Sequence, residues 1–216
     1  MNLNVRAYDW HEFEPQSIIF ATLIPTDEFF IWGQLKRDPR TNTTAMICEE
    51  IARMSRGLQF RMNLIDPLAN KVQGNTNTTV VQDMNREFSL LRRQGLCSGG
   101  VFEGWDTKST YGREQITKRL MNSIKVKKPY NNGVKKDGLV EYLPTMWINK
   151  VSCPDVFKSL LKWSTDKNGQ PEKRSKWSHF CTAIEAVFKD VRCKPVMGVR
   201  EAENLNIYGN YFHARA

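Results

Sequence analysis

Two aspartates stand where apolar runs stop. Asp9 closes the strand-like run LNVRAY, and Asp66 closes a run ending NLI, directly before Pro67. Open α/β sheets gather their ligands at the carboxyl ends of strands, so two acids at such ends can converge. Convergent carboxylates bind hard divalent cations, and Mg²⁺ keeps several waters while using only one or two protein carboxylates. Each acid taken alone also suits a plainer role, capping a turn or the helix that follows. His11, two residues past Asp9, can approach a nearby metal or phosphate, or can simply occupy a surface turn.

Basic residues gather in two stretches. Lys108 to Lys136 contains Arg113, Lys118, Arg119, Lys125, Lys127 and Lys128; Lys162 to Lys176 contains Lys173 and Arg174. The formal net charge of +9 and a pI of about 9.4 favour a polyanionic partner, because each neutralised phosphate releases counterions. Flanking the acids, the two stretches would grip a duplex through its phosphates with little sequence preference. A solvated helix face with interspersed charges accounts for the same composition.

The 216 residues give room for one sizeable core, with 40% hydrophobic and 25% charged residues as in ordinary globular chains. Cys48, Cys97, Cys153, Cys181 and Cys193 are odd in number, widely spaced and without a C-x-x-C pair, which reads as reduced thiols mostly in the core. No apolar run approaches a membrane span, and the opening MNLNVRAYDWHEFE has no secretory h-region, so an intracellular protein with no membrane partner is expected. Lys108-Ser109 lacks the glycines of a P-loop, so an ATPase of that class is excluded.

The elements that must position these residues follow from patterning. Leu3 to Tyr8, Ser17 to Leu23 and Glu28 to Leu35 read as strands of a meander, broken at Pro15 and at Pro25-Thr26-Asp27. Thr43 or Thr44 caps a helix carrying Ala45, Ile47, Ile51 and Met54 on one face and ending near Gly57. Leu58 to Ile65 reads as a fourth strand, Val80 to Arg93 as a helix, and Tyr111 to Ser123 as another. Thr145 to Ile148 is a short strand before a helix from Pro154 through Trp163, and Trp177 to Val191 is the last patterned helix. Helices alternating with strands after a meander predict a mixed α/β sheet with helices on both faces.

That order, with an acid closing the first and the fourth strand, is the order of the RNase H-like nucleases. Within them the local sequences resemble the nuclease domains of bacteriophage large terminases. NVRAYDWHEFEPQSIIFATLIP resembles their first motif, an Asp-Pro-His-like turn beside an apolar strand. NLIDPLAN resembles their second, an Ile-Asp-Pro-Ala stretch, and SKWSHFCTAIEAVF their third, a helix written roughly Asp-His-x-x-Asp-Ala. The resemblance covers about residues 3 to 190.

It implies an RNase H-like nuclease domain, set over 1–195 because the pattern fades after Lys194-Pro195 and leaves 196–216 as a C-terminal tail. The implied activity is metal-dependent endonucleolytic cleavage of double-stranded viral DNA during genome packaging. Asp9 would be the bridging metal ligand and Asp66 the second carboxylate, holding Mg²⁺ or Mn²⁺ as a pair of ions, one activating water and one stabilising the leaving oxygen. The third motif departs from the family, since Ser178 and Thr182 stand where acids are usual and a hydroxyl is a poor ligand for Mg²⁺. His179 is the remaining strong ligand; Glu185 is second choice, ~10 Å along the helix from Ser178 at ~1.5 Å per residue.

The implied partners are double-stranded DNA, a packaging ATPase domain or subunit, the small terminase and the portal protein, in the cytoplasm of an infected host cell. Lys127, Lys128, Arg113, Lys118, Lys173 and Arg174 are the candidate DNA contacts. Two alternatives stay open: a catalytically impaired DNA-binding module of the packaging motor, and another RNase H-like nuclease such as a resolvase or transposase core.

Overall fold

The computed structural model of the chain describes residues 2–24, 28–74, 77–107, 111–125, 145–164, 175 and 177–189. Strands β1 (Leu3–Asp9), β2 (Gln16–Leu23) and β3 (Phe29–Arg37) form the expected antiparallel meander. Helix α1 (Thr44–Met54) then leads to β4 (Met62–Ile65), which pairs with β1 in parallel. Helix α2 (Val80–Arg93) leads to β5 (Phe102–Gly104), parallel to β4 at one edge, and β6 (Met146–Ile148) lies parallel to β3 at the other. The sheet order is β5-β4-β1-β2-β3-β6, a mixed six-stranded sheet.

Local chemistry sets several boundaries. Thr43 caps α1 by accepting the Met46 amide. Thr79 and Gln82 close a capping box on α2, satisfying two amides that a helix start leaves unpaired. The fourth strand is shorter than its apolar run suggests. The Leu58 and Gln59 carbonyls are taken by the side chains of Ser98 and Asn4, and the first backbone bond to β1 is that of the Arg61 amide to the Asn4 carbonyl. β5 has no counterpart in the sequence pattern, since three residues show no period.

Helices cover both faces. On one, α1 and α2 pack Ile47, Ile51, Met84 and Phe88 against Tyr8, Ile18, Phe20 and Leu35. The other face, with Val5, Ala7, Ile19, Ala21 and Leu64, receives Ile116 of α3 (Tyr111–Lys125), Val156 of α4 (Pro154–Lys162) and Phe180, Ile184 and Val187 of α5 (Ser178–Lys189). α5 is buried along nearly its whole length, touching β1, β2, α3 and α4. Alternation along β1 therefore aims Asp9 at α5, two residues beyond Ala7 and on the same side.

Cys48, Cys153 and Cys181 are buried and Cys97 half-buried, all as free thiols; Cys193 lies outside the described residues, as do the 196–216 tail and the boundary drawn at 195. No helix among the described residues is long and apolar enough to cross a membrane.

Candidate metal centre

β1 and β4 run in parallel with Tyr8 opposite Ile65, and the Asp66 amide donates to the Tyr8 carbonyl at 3.0 Å. Asp9 and Asp66 thus end neighbouring strands and line one cleft of about 320 Å³, which also takes in His11, Trp105, Arg113, Ser178, His179, Thr182, Glu185 and Lys189. Asp66 is also the cap of a 3₁₀ turn, Pro67–Asn70, where its carboxylate accepts the Leu68 amide at 2.7 Å. The capping role and the cleft role coexist in one residue.

Asp9 is 2% exposed. Its Oδ2 lies 2.8 Å from His179 Nδ1 and 3.3 Å from His11 Nε2. His179 Nε2 in turn lies 2.9 Å from a carboxylate oxygen of Glu14. The imidazole of His179 thus bridges an enclosed carboxylate and an exposed one through its two ring nitrogens. The His11 and His179 rings meet edge to face, 4.4 Å between centroids. The turn bearing His11 is fixed from below: Tyr8 hydrogen-bonds Gln16, whose amide donates to the His11 carbonyl at 2.9 Å.

The donors suit a divalent ion. Asp9, His11 and His179 each offer one ligand atom, all within 4.8 Å of one another. Ser17, the cross-strand partner of Asp9, buries a hydroxyl with no hydrogen-bond partner among the described residues. One hard oxygen with two imidazoles fits Mn²⁺ more closely than Mg²⁺, which prefers oxygen throughout.

His11 and Asp66 respond to their neighbours. The hydrogen bond to Asp9 raises the His11 pKa above its ordinary 6.5; burial opposes that, and the charges of Asp9, Glu14 and Asp66 reinforce it. Burial raises the Asp66 pKa, the Leu68 amide works against it, and the charge of Asp9 adds to it.

The substituted positions of the third motif make backbone contacts. The Ser178 hydroxyl donates to the Ser175 carbonyl at 2.7 Å, and the Thr182 hydroxyl donates to the Ser178 carbonyl at 3.1 Å. Glu185 reaches the cleft, since 178, 182, 185 and 189 share a helix face. Its carboxylate is held by Arg113 at 3.2 Å and Lys189 at 3.5 Å.

Of the predicted DNA contacts, Lys118 is exposed on α3 and Arg113 half-buried in the cleft. Lys127, Lys128, Lys173 and Arg174 lie outside the described residues. Arg119, counted within the first basic stretch, is turned inward: it is buried, donates to the Thr145 carbonyl at 2.8 Å and stacks over Phe188. Sequence reasoning missed Glu14 and Lys189. Only Lys189 left a readable signal, standing four residues past Glu185 on one helix face.

No protein-family model matches the chain, and no curated protein matches it. Solved structures do. The large terminase of a thermophilic bacteriophage aligns at a TM-score of 0.57 and 12% identity over 88% of this chain. The P22 large terminase nuclease domain aligns at 0.56 and 11% identity, covering 87% of this chain and 80% of that domain. This is the fold of a large terminase nuclease domain. The chain spans 39% of the length of the thermophilic phage protein.

Proposed function

We propose that this chain is a divalent-metal-dependent endonuclease that hydrolyses phosphodiesters of double-stranded viral DNA during genome packaging. The observation that carries the reading is the cluster of Asp9, His11 and His179, whose ligand atoms lie within 4.8 Å of one another in a cleft that Asp66, at the end of the neighbouring parallel strand, also lines.

Asp9, Asp66 and His179 would hold Mg²⁺ or Mn²⁺, with His11 able to serve as a further nitrogen ligand. A bound divalent ion supplies the positive charge that makes water nucleophilic at neutral pH and stabilises a leaving oxygen. Asp9 contributes the most enclosed carboxylate and is oriented by two imidazoles. Asp66 is fixed by its turn. Trp105, whose amide donates to the Ile65 carbonyl, is buried in that wall of the cleft. Lys118 and Arg113, with Lys127, Lys128, Lys173 and Arg174, would grip DNA phosphates, and a packaging ATPase, small terminase and portal would supply motion and recruitment in the host cytoplasm.

A second reading has its own support. Ser178 and Thr182 leave the first turns of α5 without an acid, and Glu185, the acid of that helix, is engaged by two cations. A DNA-clamping module that does not cut would look like this. Supercoiled plasmid incubated with Mn²⁺ or Mg²⁺ separates them: nicking that disappears in Asp9→Ala supports the nuclease, whereas salt-sensitive binding with no nicking in either metal supports the clamp. A preference for branched over linear duplex would favour a resolvase-like activity.

A further inference from the structure

Glu185 is 6% exposed in the floor of the cleft, and its two oxygens serve two different cations: Oε1 the Arg113 guanidinium, Oε2 the Lys189 ammonium. The Lys189 side chain is itself only 11% exposed. Glu185 thereby holds the two cations together along one wall of the cleft that the carboxylates of Asp9 and Asp66 also line. Both cations line the cleft.

The backbone is shaped to build this trio. Gly112 packs so closely on α5 that a Cβ there would meet the Glu185 carbonyl oxygen at 2.3 Å, too close for any other residue. That approach brings the adjacent Arg113 to Glu185, and the helix repeat brings Lys189 to the other oxygen. Arginine offers a planar fork and lysine a compact point charge, two complementary donors for a phosphate.

We infer that Arg113 and Lys189, oriented by Glu185, form a phosphate clasp for the DNA strand entering the cleft, adjacent to the carboxylates of Asp9 and Asp66. The inference rests on the nuclease reading above. Glu185 is then a positioning residue rather than a metal ligand, and Lys189 a DNA contact that lies outside both basic stretches.

The test is duplex binding by the full chain in EDTA, with a short labelled DNA over a salt series, run beside plasmid nicking in Mn²⁺. Arg113→Ala and Lys189→Ala should each weaken binding roughly tenfold at low salt. Each should also reduce the slope of log affinity against log salt by about one, while Lys189→Arg keeps the slope. Glu185→Ala should weaken binding although it makes the cleft more positive, an outcome that bulk charge alone cannot produce. Should that variant fail to fold, the Lys189 pair decides the matter. Unchanged slopes in both Ala variants, with parental binding and nicking intact, overturn the clasp and leave the nuclease standing; a parental protein that neither binds duplex nor nicks plasmid overturns both.

Discussion

Asp66 stands level with Asp9 on the neighbouring parallel strand, its amide bonded to the carbonyl of Tyr8, the residue just before Asp9. Two carboxylates at adjacent strand ends repel unless a cation lies between them, and the cost falls on the metal-free protein.

The two acids should therefore answer substitution with opposite signs. A folded pKa raised above 3.8 means that the protonated form of Asp66 favours folding, so stability is greatest below 3.8 and falls as pH rises through the folded value. Asp66→Asn removes that repulsion while keeping a good cap, and the metal-free protein should melt slightly higher at neutral pH. Asp9→Asn weakens charge-assisted hydrogen bonds to two imidazoles and should lose about 1–3 kcal/mol. Both should abolish nicking. Thermal melts in EDTA beside a plasmid assay would check this, and a lower melting point for Asp66→Asn would show that its charge is not a burden.

Metal binding and pH should be coupled through His11. Its pKa lies above 6.5, so the stability of its pair with Asp9 is complete below 6.5 and is lost as pH rises through the folded value. A cation competes with that proton and binds more tightly over the same window. The Tm gained on adding Mn²⁺ should widen from pH 6 to 8, reaching about 5–10 °C at roughly 100 Kd. His11→Ala should flatten the trend. A gap independent of pH in the parental protein would remove His11 from the site.

How far the sequence revealed this arrangement depended on the range of the interactions. Thr43, Thr79 and the apolar face of α2 act within a few residues, and those elements appeared where their patterns put them. The placement of Asp9 and Asp66 at strand ends was legible because an acid ending an apolar run is a local event. Glu14 was not, since a turn has no period and its partner His179 is 165 residues away. The pairing of Glu185 with Arg113 spans 72 residues and depends on how closely α3 approaches α5. Arg119 misled for the converse reason: a basic stretch says nothing about which of its members turn inward.

Arg6 carries the largest stability effect expected away from the cleft. It is fully buried, lies 4.1 Å from the Phe60 ring centre, and donates to Asn63 Oδ1 at 2.7 Å, Ser55 at 3.1 Å and the Ser98 carbonyl at 3.2 Å. Burial pulls its pKa down to about 10. Arg6→Ala opens a cavity and strands several acceptors, costing about 3–5 kcal/mol; Arg6→Met refills much of the volume and should cost less. Urea denaturation would rank them, and equal losses would mean that packing contributes little.

His179 decides whether the centre is complete despite the missing acid. Its Nδ1 and Nε2 face Asp9 and Glu14, yet the two partners differ, since the Asp9 side chain is 2% exposed and that of Glu14 63%. An exposed partner is screened by water and worth little, so Glu14→Gln should change Mn²⁺-dependent nicking only a few-fold. His179→Ala removes a proposed ligand and the orientation of Asp9 together, and should cost roughly 10–100-fold in nicking along with most of the Mn²⁺-induced rise in Tm. Activity should favour Mn²⁺ over Mg²⁺ in the parental protein, because imidazole is the softer donor. If His179→Ala cuts and gains stability from Mn²⁺ like its parent, the third ligand comes from His11 or from elsewhere on α5. Thr182→Asp then becomes the informative variant, because it restores a carboxylate on the cleft face at the cost of a single hydroxyl–carbonyl contact.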